Sequence, residues 1–520
     1  MSHLCNSRVN FDVDAVIPED GKVRLVCNIV ERMNLSTVLS AYSSKGRKPV
    51  LDPITFLKVI LFCYSEVIFH SRKIKAFCQY DLRGHFILGG RKAPHHSTIC
   101  RFEQMLADHS QDLLTEFVQL LQEDGHVDLK TLYIDGTKIE SSANRYSFYS
   151  FVWRKSVEKN QKKLMDKMIC TLGLPEGSML DEVEERVKAR FNEVRNLCSR
   201  NRIVFAHGIG RRKTQEQRDY EELKTVMERF SAYRNHLKIM GSRNSDSKTN
   251  HDTTFIRMKA DHMLNGQLKP AYNIQLASSG AFIVGVMGSQ KPNDLHTLKP
   301  FLKQMLPAYG KSLKNIVADA GYESEENYTY LETNNLVAYI KPSNYETKKK
   351  RITKQNIGRR KNMLYLEDQD AYVCKARNHL VRGKDRKMKT VSGYVDTVWT
   401  YTCRECGGCP HASECIRTRN SVSPTHKSIQ FSPSFEQHRM QSEANIMSDV
   451  GINHRINRSI QAEGAFSKLK DGLGYTRFRH RSMKKVVSDI VLVALGINLN
   501  KLHSKILHNQ TEIIAYKKTA

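Results

Sequence analysis

Apolar residues recur at helical spacing through the first 125 residues. In "DPITFLKVILFCYSEVIF", from Asp52, the positions Phe56, Leu57, Ile60, Leu61 and Tyr64 share the interior of one helix, with Asp52 at its start and Pro53 at its first position. "SRKIKAFCQY" predicts a second helix, "HHSTICRFEQMLADH" offers Ser97 as an N-cap, and "QDLLTEFVQLLQEDG" ends at Gly125 as a C-cap. At Thr131 the period changes, because "TLYIDGTKIE" alternates as a strand does. A polar stretch over 145–250 follows, helical in "LDEVEERVKARFNEVRNL". Strands return in "AYNIQLASS" and "AFIVGVMGS", joined through "SSG" as a hairpin. Next come a helix in "NDLHTLKPFLKQML", the strand "NIVA", a helix over 323–334 and the strand "LVAYIKPS". Residues 343–450 read as irregular and basic, and helices resume at "NRSIQAEGAFSKLK" and "VVSDIVLVALGINLNKLHSKI".

This order predicts an α/β fold in which the first and fourth strands lie side by side, bringing Asp135 and Asp319 together. It divides the chain into an all-helical segment, 1–125, and a second domain, 126–520, with a helical insertion at 145–250 and a Cys-rich one at 343–450.

Charge narrows the function. Lys and Arg number 82 against 54 for Asp and Glu, a net +28 that calls for a polyanionic partner, and the short basic N-terminal helices suit DNA. The basic residues cluster, at Lys348 to Arg351 with Arg359, Arg360 and Lys361, and in "RFRHRSMKK" with Arg477, Arg479 and Arg481. At 40% hydrophobic residues the chain is too apolar for wholesale disorder. No apolar leader opens "MSHLCNSRVNFDVD", so a cytoplasmic location is expected. The apolar run from Val486 carries Asp489 and reads as a buried helix, with no membrane partner.

Two carboxylates at neighbouring strand ends repel unless a cation lies between them, which points to Mg²⁺ or Mn²⁺ on oxygen ligands. Two such ions stabilise the attacking and leaving oxygens of a phosphoryl displacement, and a third acid holds the second ion. Glu463, among the small residues Ala462, Gly464 and Ala465, supplies it, and Lys470 lies two helical turns on, placed for a phosphate. Asp261, Asp294 and Glu140 compete with the aspartates, and Glu443 or Asp471 with Glu463. Separately, "CRECGGCPHASEC" gathers Cys403, Cys406, Cys409 and Cys415, with His411 among them and Cys374 upstream. Paired C-x2-C steps favour a structural Zn²⁺ site, and Pro410 keeps an iron–sulfur cluster open as the alternative. Cys27, Cys63, Cys78 and Cys100 sit among apolar residues and read as core.

The blocks "YIDGTKIESSANRYSF", "LKPAYNIQLA", "VADAGYESEENYTYL" and "NRSIQAEGAFSKLKDGLGYTRFRHRSMKKV" resemble those of bacterial insertion-sequence transposases with a DDE catalytic domain of ribonuclease-H-like fold. "LDPITFLKVILFCYSEVIFHSRKI" and "HHSTICRF" resemble that family's helical N-terminal domain. The resemblance implies catalytic, metal-binding roles for Asp135, Asp319 and Glu463, and phosphate contacts for Arg458 and Lys470. Related branches place a Tyr before that Arg, whereas Ile456 and its neighbours offer none. The implied activity is binding of terminal inverted repeats, metal-dependent strand cleavage and strand transfer into target DNA, by a homo-oligomer on the DNA. A nuclease or resolvase that cuts without joining, and a non-catalytic DNA-binding regulator, are the alternatives. Intact acids at all three positions argue against the regulator.

Overall fold

The computed structural model describes residues 12–41, 50–143, 151–208, 212–258, 266, 268–390, 392–416 and 426–510. Helix α1 (Pro53–Ser65) starts as its sequence predicts: Pro53 is at the first turn, and the Asp52 carboxylate accepts from the Thr55 amide at 2.9 Å. Helix α2 (His96–Leu106) differs. Its cap is His95, whose Nδ1 accepts from the Ser97 amide, so an imidazole does what the sequence reading gives to the Ser97 hydroxyl. Gly125, at φ +75°, follows the helix Ser110–Glu123 in the left-handed conformation that ends helices.

The main sheet has six strands: β1 (Thr131–Glu140), β2 (Thr254–Arg257), β3 (Leu268–Ser279), β4 (Phe282–Ser289), β5 (Asn315–Ala318) and β6 (Val337–Ile340). The order is β2-β3-β1-β5-β6, with β4 also paired to β3. β3 and β4 form the expected hairpin, turning through Gly280 and Ala281, both at positive φ. β1 is antiparallel to β3 and parallel to β5, which is parallel to β6. Three antiparallel strands continued by two parallel ones make the mixed sheet of the ribonuclease-H-like fold.

The helical insertion forms three helices, Arg154–Leu172, Leu180–Arg200 and Gln215–Met240, around a core of their own that includes Val183, Val187, Val226 and Phe230. The second insertion departs from the irregular reading. It folds into a second six-stranded sheet, from Leu364–Leu366 to Lys427–Phe431, followed by α3 (Pro433–Met447) and α4 (Asp449–Arg458). Most of its strands are three to five residues long and Arg386–Lys389 is exposed throughout, so any alternation, as in Lys427–Phe431, is too short to stand out. Aromatic contacts help hold this sheet together, Tyr365 tilted on Tyr372 at 4.8 Å and Tyr372 edge-on to Tyr401 at 4.9 Å.

Beyond α4 the helix runs on through two π-helical segments, Ser459–Glu463 and Lys468–Gly472. Helix α5 (Met483–Leu507) is long and apolar enough to cross a membrane, but its apolar window is 78% buried inside the protein. It packs on α1 and β4, so the N-terminal helices and the sheet share one hydrophobic core. Gly496 permits this contact: a Cβ there would stand 2.8 Å from the Tyr64 carbonyl.

Candidate active site

Strand register brings the two aspartates together. Tyr133 on β1 lies opposite Val317 on the parallel β5, so Asp135 and Asp319, each two residues on, reach the same level. Alternation puts each acid on the same face as the residue two before it. On that face Tyr133, Val317 and Ala462 form a small buried cluster with Tyr339 against it. Ala462 precedes Glu463, so the packing that seats the π-helical segment carries the third acid to the first two. The seat is reinforced where the Tyr133 hydroxyl meets His454 Nδ1 at 3.1 Å, and where the Ala281 amide donates to Gln461 Oε1 at 3.2 Å. π-Helical turns recur at functional positions, and one ends on Glu463.

The Asp319 carboxylate accepts from the Gly321 amide at 2.8 Å, and Asp135 from that of Gly136 at 2.8 Å. Arg458 bridges the other acids, donating from Nη2 to Glu463 at 3.0 Å and from Nη1 to Asp135 at 3.4 Å. Ser459 Oγ donates to the second Glu463 oxygen at 3.1 Å. These acids offer only oxygen donors, the set a hard divalent cation takes, and Asp135, Asp319 and Glu463 are the residues that would hold it. As they stand, no three His, Cys, Asp or Glu side chains among the described residues are arranged to hold a metal ion. A guanidinium is instead the cation between Asp135 and Glu463.

The rival acids separate clearly. Glu443 pairs with Lys348, Asp471 accepts from Ser467, and Glu140 is buried beside Arg477. Asp261 lies outside the described residues. Asp294 is at the site: its Oδ1 accepts from Asn273 and Gln275, both at 2.8 Å, and Gln275 in turn accepts from the Tyr322 hydroxyl. Burial, followed by the carboxylates of Asp294, Asp135 and Asp319, holds the Tyr322 hydroxyl well above its ordinary pKa.

The basic residues divide. Lys470 is half-buried in the second π-helical segment, and Arg481 is exposed. Arg477 donates to the Ser141 and Ala143 carbonyls, both at 3.0 Å, fastening the end of β1. Arg479 donates to buried Asp489 at 2.7 Å, to the Tyr64 hydroxyl at 3.3 Å and to the Phe69 carbonyl. Both arginines therefore commit donors inside the fold, a use the sequence cannot signal because their partners are distant along the chain.

Cys374, Cys403, Cys406, Cys409, His411 and Cys415 line one cavity of about 20 Å³ in the second insertion, room for a single water-sized occupant. Burial pushes the Cys403 thiol up to about 11. The Lys427 amide donates to the Cys406 sulfur at 3.2 Å. Cys63 and Cys78 lie in the main core as expected, with Cys27 packed against it.

Residues 11–105 match the family model described as a transposase domain of the DUF772 type. Residues 373–503, which include the cysteines, Arg458, Glu463 and Lys470 but neither Asp135 nor Asp319, match the model of a transposase DDE domain. No curated protein and no solved structure matches the chain. Two transposase models matched in the expected order, on a helical N-terminal region and a mixed α/β fold, support an insertion-sequence transposase of the DDE type.

Proposed function

We propose that this transposase binds the terminal inverted repeats of its element, cuts the DNA at its ends and joins the freed 3′ hydroxyl to target DNA, with Asp135, Asp319 and Glu463 as the catalytic acids. The observation that carries the reading is the parallel register of Tyr133 and Val317, topped by Ala462, which gathers three acids from distant parts of the chain on one face of the sheet. Transposases act on DNA, and DDE transposases use divalent metal ions. When bound, such ions stabilise the charge on the attacking and leaving oxygens of the displacement. The chain's own residues hold the acids in phase, while Arg458, Lys470 and Arg481 offer positive charge to the phosphates alongside. Arg477 and Arg479 contribute by fixing the segment that carries Arg481, with any phosphate contact limited to donors left over from the fold. Incubating the full chain with Mg²⁺ and duplexes bearing the flanking repeats should give nicks at the repeat ends, and a pre-cut end should yield joined products. Cleavage without joining would make the protein a nuclease or resolvase, and repeat binding without either would make it a regulator.

We also propose a structural Zn²⁺ held by Cys403, Cys406, Cys409 and Cys415, which line one cavity with Cys374 and whose thiols would have to close on the ion to ligate it. Thiolates are the ligands zinc takes in closed tetrahedral sites, and a bound ion would fasten a sheet whose own core is small.

A further inference from the structure

We infer that Asp294 is a positioning carboxylate of the cation site, adding its negative charge from behind Asp135 and Asp319 and holding the Asp319 turn in place. The inference rests on the reading of Asp135, Asp319 and Glu463 as that site. Two glycines show how closely Asp294 approaches the pair. A Cβ on Gly136, the residue after Asp135, would lie 2.5 Å from Asp294 Oδ1. A Cβ on Gly321, in the turn after Asp319, would lie 3.0 Å from Asp319 Oδ1 and 3.6 Å from Asp294 Oδ2. Any side chain at position 136 would drive the Asp294 carboxylate away.

The carboxylate is fixed from its far side. Asn273 and Gln275, both buried in β3, donate to Oδ1, and Gln275 accepts from the hydroxyl of Tyr322, three residues beyond Asp319. Asn327 continues the link, donating to the carbonyls of Tyr322 and Leu295 at 2.7 and 2.9 Å. Oδ1 is thus occupied by amides, while Oδ2 faces the Asp319 turn. A fixed negative charge at this range raises the affinity of neighbouring oxygen ligands for a cation, as groups behind the direct ligands of metal sites do.

Asp294→Asn isolates the charge, because the amide oxygen still accepts from Asn273 and Gln275. The test is Mn²⁺ titration of the full-length chain without DNA, followed by the electron paramagnetic resonance of free Mn²⁺, beside thermal melting without metal. Wild type should bind, Asp319→Asn should lose the binding, and Asp294→Asn should melt as wild type does but bind Mn²⁺ about tenfold more weakly. If wild type does not bind, or Asp319→Asn binds as wild type does, the cation-site reading itself fails and this inference with it. If Asp319→Asn loses Mn²⁺ while folded Asp294→Asn keeps wild-type affinity, the role of Asp294 alone is overturned. Asp294→Ser, smaller and also uncharged, replaces the Asn variant should that one unfold. If both unfold, Asp294 is a structural strut and the inference falls.

Discussion

The Arg458 guanidinium donates to the Glu463 carboxylate at 3.0 Å, and its other terminal nitrogen reaches Asp135 at 3.4 Å. Without a metal, this one side chain offsets the repulsion between two acids brought from opposite ends of the second domain. A divalent ion taking over that task would release Arg458 toward the phosphate of a bound strand. Arg458→Gln should therefore lower the melting temperature in EDTA, by the equivalent of about 1 kcal/mol or less for so exposed a Glu463. Added Mn²⁺ should stabilise the variant more than it stabilises wild type. Differential scanning fluorimetry across a Mn²⁺ series measures both, and equal metal-induced shifts would argue against any competition for the acids.

Replacing each acid by its amide should separate chemistry from affinity. Asp135→Asn, Asp319→Asn and Glu463→Gln keep the shape of the site and remove its charge. Cleavage should fall at least about a hundredfold, as when other transition-state charge stabilisers are removed. Binding of the repeat duplex should stay near wild type, because the basic surface is intact. Parallel cleavage and gel-shift assays decide it, and a variant that still cuts well in Mg²⁺ removes that acid from the assignment.

The parts of this site that are legible in the sequence are those set by local pattern. Asp319 follows a short apolar run at the end of β5, as periodicity predicts, whereas Asp135, read as a strand-end acid, lies in the middle of β1, which stays paired to β3 as far as Glu140. Glu463 sits on a helical pattern, but the two π-helical segments around it leave no mark in residue spacing. The roles of Arg479 and Arg477 are hidden for another reason. Their basic cluster looks like a DNA surface, whereas Asp489, Tyr64 and the Ser141 carbonyl become their partners only once α1, β1 and α5 are packed together. The strands of the Cys-rich insertion escape notice because they are short and their buried core is small, built largely from tyrosine rings that meet only once the strands pair.

Purified protein should carry about one zinc per chain by elemental analysis, as a closed four-ligand site requires. Cys406→Ser, whose sulfur accepts from the Lys427 amide, should lower both zinc content and the melting temperature. Iron in place of zinc would point to the iron–sulfur alternative, and metal-free protein that is folded and active would leave the cysteines as plain thiols.

Glu103 on α2 faces a cavity of about 250 Å³ that it shares with Tyr64, His480 and Asp489, where the N-terminal helices meet α5. Burial pushes its carboxyl up to about 7, with Asp489 adding to the shift and Arg479 opposing it. A carboxyl whose folded pKa is raised favours the native state while protonated. That contribution is complete below about pH 4.5 and is lost as the pH rises through about 7. Glu103→Gln cannot ionise, so it should match wild type near pH 4.5 and be more stable at pH 8, by something on the order of 1 kcal/mol. Urea melts at the two pH values measure the difference, and a gain at the lower pH only would reverse the sign of the argument.

The contact between α5 and α1 decides whether the N-terminal helices and the main sheet unfold as one body. Gly496 lies where α5 crosses the end of α1, and a Cβ there would meet Tyr64 C and O at 2.8 Å and Ser65 N at 3.0 Å. These are backbone atoms, so no rotamer change can relieve the clash and the helices must part. Nearby, the Asn500 amide donates to the Ser65 carbonyl at 2.7 Å, and Arg479 joins Asp489 on α5 to the Tyr64 hydroxyl, so parting the helices strains polar contacts as well. Gly496→Ala should cost about 1–3 kcal/mol, the usual range for overpacking, although alanine is the better helix former. If the two regions share their core as the packing shows, the loss should appear as one cooperative transition moved to lower urea. A separate early transition assigned to the N-terminal helices would mean that α5 holds them only loosely, and a gain in stability would show that the crossing has room for a methyl group.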